Sequence, residues 1–191
     1  MTSARSSMTL YPQTWTQPLL REAGIAAALV GLTALAARIA IPLPWTPVPA
    51  TLQVAAVIFA GASCGPWRGA LSQVIYLLLG LAGAPVFAPG ADSAFGLLAP
   101  TLGYLAAFPI AAFLAGRWVS PAGRLIGGAL ALGCVYLCGV GWLIAAAWLG
   151  GHPSPLGFGL LSGLLPFLPF DLLKTALAVW SASPIRQRIF S

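Results

Sequence analysis

Apolar residues run along this chain in six long blocks, set apart by short stretches in which proline and glycine cluster. The blocks cover about Leu19 to Ile41, Ala50 to Cys64, Trp67 to Ala84, Pro100 to Val119, Leu125 to Leu149 and Leu156 to Ala182. About 20 apolar residues carry a helix across a bilayer, so each block predicts a membrane-spanning helix. The second block is the shortest and calls for tilt or an irregular end. Turn-forming residues mark the breaks: Pro42, Pro44, Pro47 and Pro49, then Gly65-Pro66, then the longest connection from Pro85 to Ser93, then Gly150 to Pro155. The pattern predicts an all-α integral membrane protein, a six-transmembrane-helix bundle in one domain over residues 19–182. Residues 1–18, polar and rich in Ser and Thr, read as an N-terminal tail, and residues 183–191 as a C-terminal tail. The first block exceeds the roughly 7 to 15 apolar residues of a secretory signal, which predicts a retained helix. No internal repeat of the kind that builds many secondary transporters is evident.

Composition agrees with that pattern. The 191 residues are 59% hydrophobic and 6% charged, with a mean hydropathy of +0.93, against about 25% charged in soluble domains. A net charge of +6 would suggest a nucleic-acid partner in a soluble protein, but here the basic residues stand singly at the ends of apolar blocks and report topology. Arg5, Arg21, Arg68, Arg117, Arg124, Arg186 and Arg188 all fall on one side of a six-span arrangement. The positive-inside rule makes that side cytoplasmic, so both termini are expected there, in a multi-pass protein of the inner (plasma) membrane. Arg38, at the outer end of the first block, is the exception.

Several chemistries lack their residues. There is no phosphate-binding G-x-x-x-x-G-K-[ST] loop, so ATP is not expected to bind by that route. The single histidine, His152, falls in a connection, and Gly159-Leu160-Leu161-Ser162-Gly163 resembles a nucleophile motif only loosely without a helical histidine to activate Ser162. Three acids in the whole chain are a poor supply for a metal. Cys64, Cys134 and Cys138 are odd in number and lie in or beside apolar blocks, where they read as small apolar filler. Neither an enzyme nor a resident cofactor or metal is expected.

The polar residues inside the apolar blocks carry the positive signal. A charged group at a helix centre costs roughly 2.5 to 3.5 kcal/mol on insertion scales, so Asp171 and Lys174 in the last block mark a candidate site. Their i,i+3 spacing puts both on one helix face. There they either grip a polar ligand together or neutralise each other and set helix register. Pro166 and Pro169 precede them by about one turn and predict a kink with freed carbonyls, which membrane proteins tolerate against protein or a water-filled cavity. Arg38, Thr51, Gln53, Asp92 and Tyr104 are expected in the outer half of the membrane, with Trp45, Tyr76 and Phe87 adding aromatic surface at or just below that layer. A largely apolar cavity with a few convergent polar groups is the build of a small-molecule site. An interfacial aromatic belt accounts for Trp45 as well, and snorkelling to headgroups for Arg38. Ala23, Ala27 and Gly31, followed by Ala36 and Ala40, put small residues on the first helix, suited to internal packing or to docking another membrane subunit.

A family resemblance rests on five motifs in order: Thr46-Pro47-Val48-Pro49-Ala50-Thr51-Leu52-Gln53; Gly65-Pro66-Trp67-Arg68-Gly69-Ala70-Leu71; the run from Tyr76 to Ala88; Gly103-Tyr104; and Pro166-Phe167-Leu168-Pro169-Phe170-Asp171-Leu172-Leu173-Lys174. Together they resemble the BioY family, the biotin-binding S components of energy-coupling-factor (ECF) transporters, over about residues 20–180. The resemblance implies the S component fold, with biotin near the outer face beneath the loops after the first and third spans. It also implies a partner transmembrane subunit and paired ATPases, and makes Ala23, Ala27 and Gly31 look like the family's docking surface for that subunit. Biotin's ureido N–H groups need acceptors and its carboxylate a cation. Asp171 suits the former, and Lys174 the ureido oxygen or the carboxylate. Asp92, Gln53 and Arg38 are second choices, while Tyr76, Phe87 and Tyr104 would wall the rings. The chain departs from the family pattern at Phe170, where glycine is common, at Ala91-Asp92, where the third loop is usually Gly-rich, and at Ala99 to Tyr104, where the pattern is Gly-Pro-Thr-Gly-Gly-Tyr. The competing expectations are an S component for thiamin or riboflavin, and a structural membrane subunit whose charged pair binds a partner helix.

Overall fold

The computed structural model describes residues 16–89 and 99–190, with side chains over 19–89 and 99–186. Seven helices and one two-residue strand pair follow in order: α1 (Thr16–Arg38), β1 (Ala40–Ile41), β2 (Ala50–Thr51), α2 (Gln53–Cys64), α3 (Pro66–Leu81), α4 (Leu102–Gly116), α5 (Pro121–Leu149), α6 (Pro155–Gly163) and α7 (Leu168–Phe190). Local signals explain the starts. Proline opens α3, α5 and α6, where its missing N–H has no helical partner to lose. Ser120 caps α5 by accepting from the Gly123 N–H at 3.1 Å. Gly65, with φ of 91°, turns the chain between α2 and α3.

Each predicted block contains helix, but the ends differ. The first block was expected to continue to Ile41, whereas α1 stops at Arg38 because Ala40 and Ile41 pair antiparallel with Thr51 and Ala50. That pairing folds the proline-rich string back over the end of α1 and sets Thr51 and Gln53 beside it. The last block, expected as one kinked helix, is two: α6 and α7 meet at 47° across Leu164–Phe167. Pro166 cannot donate in that break, and Pro169 sits in the first turn of α7, where its missing N–H costs nothing. Helix also extends past the expected ends, since α7 continues to Phe190 and α1 begins at Thr16.

The α4 helix lies at the centre. Leu105, Ala107, Phe108, Ala111, Ala112 and Ala115 are all buried on it, packed against α2, α3 and α5. Small residues let these backbones close up: a Cβ on Gly61 of α2 would lie 1.9 Å from the Ala112 carbonyl oxygen, and one on Gly69 of α3 would lie 2.6 Å from the Gly61 Cα. By length and composition α1 and α5 are each long and apolar enough to cross a membrane, and the bent α6–α7 pair meets the same test when taken as one span. The 12 residues of α2 rise only about 18 Å.

Candidate substrate-binding site

The broken span builds the site. Carbonyls freed at the end of α6 are taken up by side chains from elsewhere: Tyr104 Oη donates to the Gly163 carbonyl at 2.8 Å, and Thr46 Oγ1 to the Ser162 carbonyl at 2.6 Å. These bonds meet the rule that membrane-depth backbone be satisfied, and they hold α6 against α4 and the proline-rich segment. The α7 helix then starts beneath a cavity, with Asp171 in its first turn, where the helix dipole favours an acid.

Asp171 is buried and uses both oxygens. Oδ1 lies 2.5 Å from Lys174 Nζ, and Oδ2 accepts from Tyr136 Oη at 2.7 Å. Lys174 Nζ also donates to the Thr51 carbonyl at 2.8 Å, which ties α7 to β2. The pair does neutralise itself, yet it is not saturated. A lysine ammonium has three donors and two are engaged; a carboxylate offers about four acceptor positions and two are engaged. One donor and two acceptor positions remain for a ligand.

Thr51, Gln53, Phe87, Tyr104, Asp171 and Lys174, all singled out from the sequence, line one cavity. Its free volume is about 60 Å³, above the roughly 10–15 Å³ that one water needs. Tyr76 stands just behind the wall. It is fully buried, accepts from Gln53 Nε2 at 2.9 Å, donates to the Val86 carbonyl at 3.0 Å, and meets Phe87 edge-on with ring centroids 5.4 Å apart. Gln53 and Phe87 are thereby held in place through one phenol.

Arg38 falls elsewhere. It is exposed on the outside and donates to the Pro85 carbonyl, pinning the end of α1 to the segment that carries Phe87 and Ala88 over the cavity. It does not line the cavity, so the expected convergence with Thr51 and Gln53 does not include it. Asp92 lies outside the described residues. Trp45 is exposed and borders an apolar groove on the far side of the charged pair, as does Phe170, at 68% exposure. The bulk at the Phe170 departure therefore points away from the cavity. On α1, Ala23 and Ala27 are exposed, and a Cβ on Gly31 would meet no atom within 4 Å, so this face is free of internal packing.

Sequence reasoning missed Tyr136, along with Phe108, Val135 and Phe167 in the cavity wall. The fifth block holds no charged residue between Leu125 and Leu149 to mark a site. Its one phenol was the available signal, since a Tyr hydroxyl buried in a membrane helix needs a partner.

A helical bundle around a largely apolar cavity, with a net-neutral ion pair and aromatic walls, has the build of a small-molecule-binding membrane protein. Comparison with known proteins narrows the class: the BioY family model matches residues 5–190, and the chain belongs to that family. It is 39% identical over 159 residues to the probable biotin transporter BioY of Pyrococcus horikoshii, covering 83% of this chain and 92% of the relative. The biotin transporter BioY of Thermotoga maritima is 36% identical over 172 residues, covering 88% and 95%. That of Rhodobacter capsulatus is 33% identical over 176 residues, covering 86% and 90%. Among solved structures, the crystal structure of the S-component for biotin from an ECF-type ABC transporter superposes with a TM-score of 0.71 at 26% identity, over 93% of this chain and 95% of that one.

Proposed function

We propose that this chain is a biotin-capture S component that delivers its substrate to an ECF-type transporter, a transport subunit and not an enzyme. The observation that carries the reading is the half-saturated Asp171–Lys174 pair facing the cavity. A ureido ring presents two N–H donors and one carbonyl acceptor, the complement of the two acceptor positions and one donor the pair leaves open. The ring is neutral, as is the pair, so binding leaves no charge uncompensated. Tyr104, Phe87 and Phe108, with Tyr76 behind them, would wall the rings and chain. Thr51 and Gln53 would sit beside the ureido group. Arg38 would be a second choice of cation for the carboxylate, and Asp92 a second choice of acceptor for the ureido N–H groups.

The six apolar blocks would cross the inner (plasma) membrane in the S component manner, the domain occupying residues 19–182. The arginine asymmetry supports cytoplasmic termini, with residues 1–18 and 183–191 on that side. Import would need a transmembrane partner and paired ATPases, and the face of exposed Ala23 and Ala27 with half-buried Gly31 is the surface offered to the former. The test is ligand-dependent thermal stability of the purified chain. Stabilisation by biotin but not by thiamin or riboflavin supports the reading. Stabilisation by either of the others reassigns the vitamin, and indifference to all three leaves a structural subunit.

A further inference from the structure

A second charged cluster lies at the opposite end of the bundle from the cavity mouth, where α3 begins and α4 ends; there a Cβ on Gly116 would lie 2.5 Å from the Pro66 nitrogen. Arg124, in the first turn of α5, is 94% buried by its 6% relative exposure, and its Nε and Nη1 have no hydrogen-bond partner. Arg186 of α7 is buried as well, donates from Nη1 to the Ala62 carbonyl at 3.3 Å, and stands within the electrostatic reach of Arg124. Packing explains the meeting: one turn along α5, Gly128 lies against Val179 and Thr175 of α7, so the start of one helix abuts the end of the other.

Two local fields oppose Arg124. A helix N-terminus carries partial positive charge, and the neighbouring guanidinium carries a full one. The partial negative end of α2, at Ala62, is met by Arg186. Among the described residues both acids are engaged: Glu22 is bridged by Arg68 and Asp171 by Lys174. A buried cation with orphaned donors and no counter-charge among the described residues persists where one arrives from outside.

We propose that Arg124, with Arg186 beside it, forms an oxyanion site that receives a phosphate group, either the phosphodiester of an anionic membrane lipid or inorganic phosphate. The guanidinium fork matches phosphate oxygens two at a time. The surroundings suit a headgroup, since Leu125, Ile126, Val119 and Trp67 are exposed and apolar at the same end.

Native mass spectrometry and thermal unfolding of the full-length chain test this, in nanodiscs of phosphatidylglycerol or phosphatidylcholine, and in neutral detergent with inorganic phosphate against chloride at equal ionic strength. Wild type should retain and be stabilised by phosphatidylglycerol over phosphatidylcholine, or be stabilised by phosphate. Arg124→Gln should weaken that preference tenfold or more and leave biotin affinity unchanged, while Arg117→Gln, on the same side, should keep it. A response to phosphatidylglycerol alone assigns the lipid, a response to phosphate alone the free ion, and either upholds the site. Equal response of wild type and Arg124→Gln overturns it. So does a wild type indifferent to both lipids and to phosphate, the outcome expected if a partner's carboxylate fills the place; this arm stands even if the variant fails to fold.

Discussion

Replacing Asp171 by asparagine keeps the side chain's shape and removes its charge, which isolates what the carboxylate does. Tyr136 can still donate to the amide oxygen, so the local scaffold survives. Two things are lost. The acceptor facing Lys174, or one facing the ligand, becomes an N–H₂ donor, and the charge-assisted bonds to the ligand fall to neutral strength. A hydrogen bond to a charged group is worth about 1.5–3 kcal/mol, so losing one predicts a fall in biotin affinity of about 10- to 150-fold at 1.4 kcal/mol per decade. The ligand-free protein should lose stability too, by less than the roughly 3–5 kcal/mol of breaking a buried pair, because the Lys174 side chain keeps 20% exposure to water. Isothermal titration with biotin in detergent reads the first quantity, and unfolding without biotin the second. Adding Lys174→Gln to Asp171→Asn should recover ligand-free stability, since the orphaned cation is gone, without recovering binding. An affinity for Asp171→Asn within twofold of wild type would refute the assignment of the acceptor. Recovered binding in the double variant would show that the pair serves structure alone.

Other perturbations read other parts of the arrangement. Tyr136→Phe removes one bond to Asp171 and should weaken biotin binding by about tenfold, or 1.4 kcal/mol, with a milder loss of unfolding temperature; unchanged affinity in the same titration would show that Asp171 needs no orienting partner. Gly61→Ala forces a methyl against the Ala112 carbonyl and should destabilise the α2–α4 contact by about 1–3 kcal/mol, visible as a lower unfolding temperature. Ala27→Leu should leave biotin binding by the isolated chain intact and reduce co-purification of the transmembrane partner; undiminished co-purification would place docking on another face. Phe170→Gly should change biotin affinity less than twofold, because the ring points away from the cavity.

The sequence by itself settled the helical class, the six apolar blocks and the singling out of Asp171 and Lys174, because each depends only on local facts. Hydrocarbon rejects charge wherever the chain lies, and residues three apart share a helix face whatever that helix touches. The break at Pro166 was legible for the same reason, as far as a kink; its widening into two helices was not, because it depends on Tyr104 and Thr46 coming from distant segments to take the freed carbonyls. Only the tertiary structure brought Tyr136, 35 residues away, onto Asp171, and only it set Arg38 outside while admitting Thr51 and Gln53. Which faces meet is decided by how closely backbones approach at residues such as Gly61 and Gly69. A two-residue strand pair then ended α1 three residues early and moved an arginine from the expected site to its rim. Periodicity names the face of a helix, whereas packing across the whole bundle chooses its neighbour.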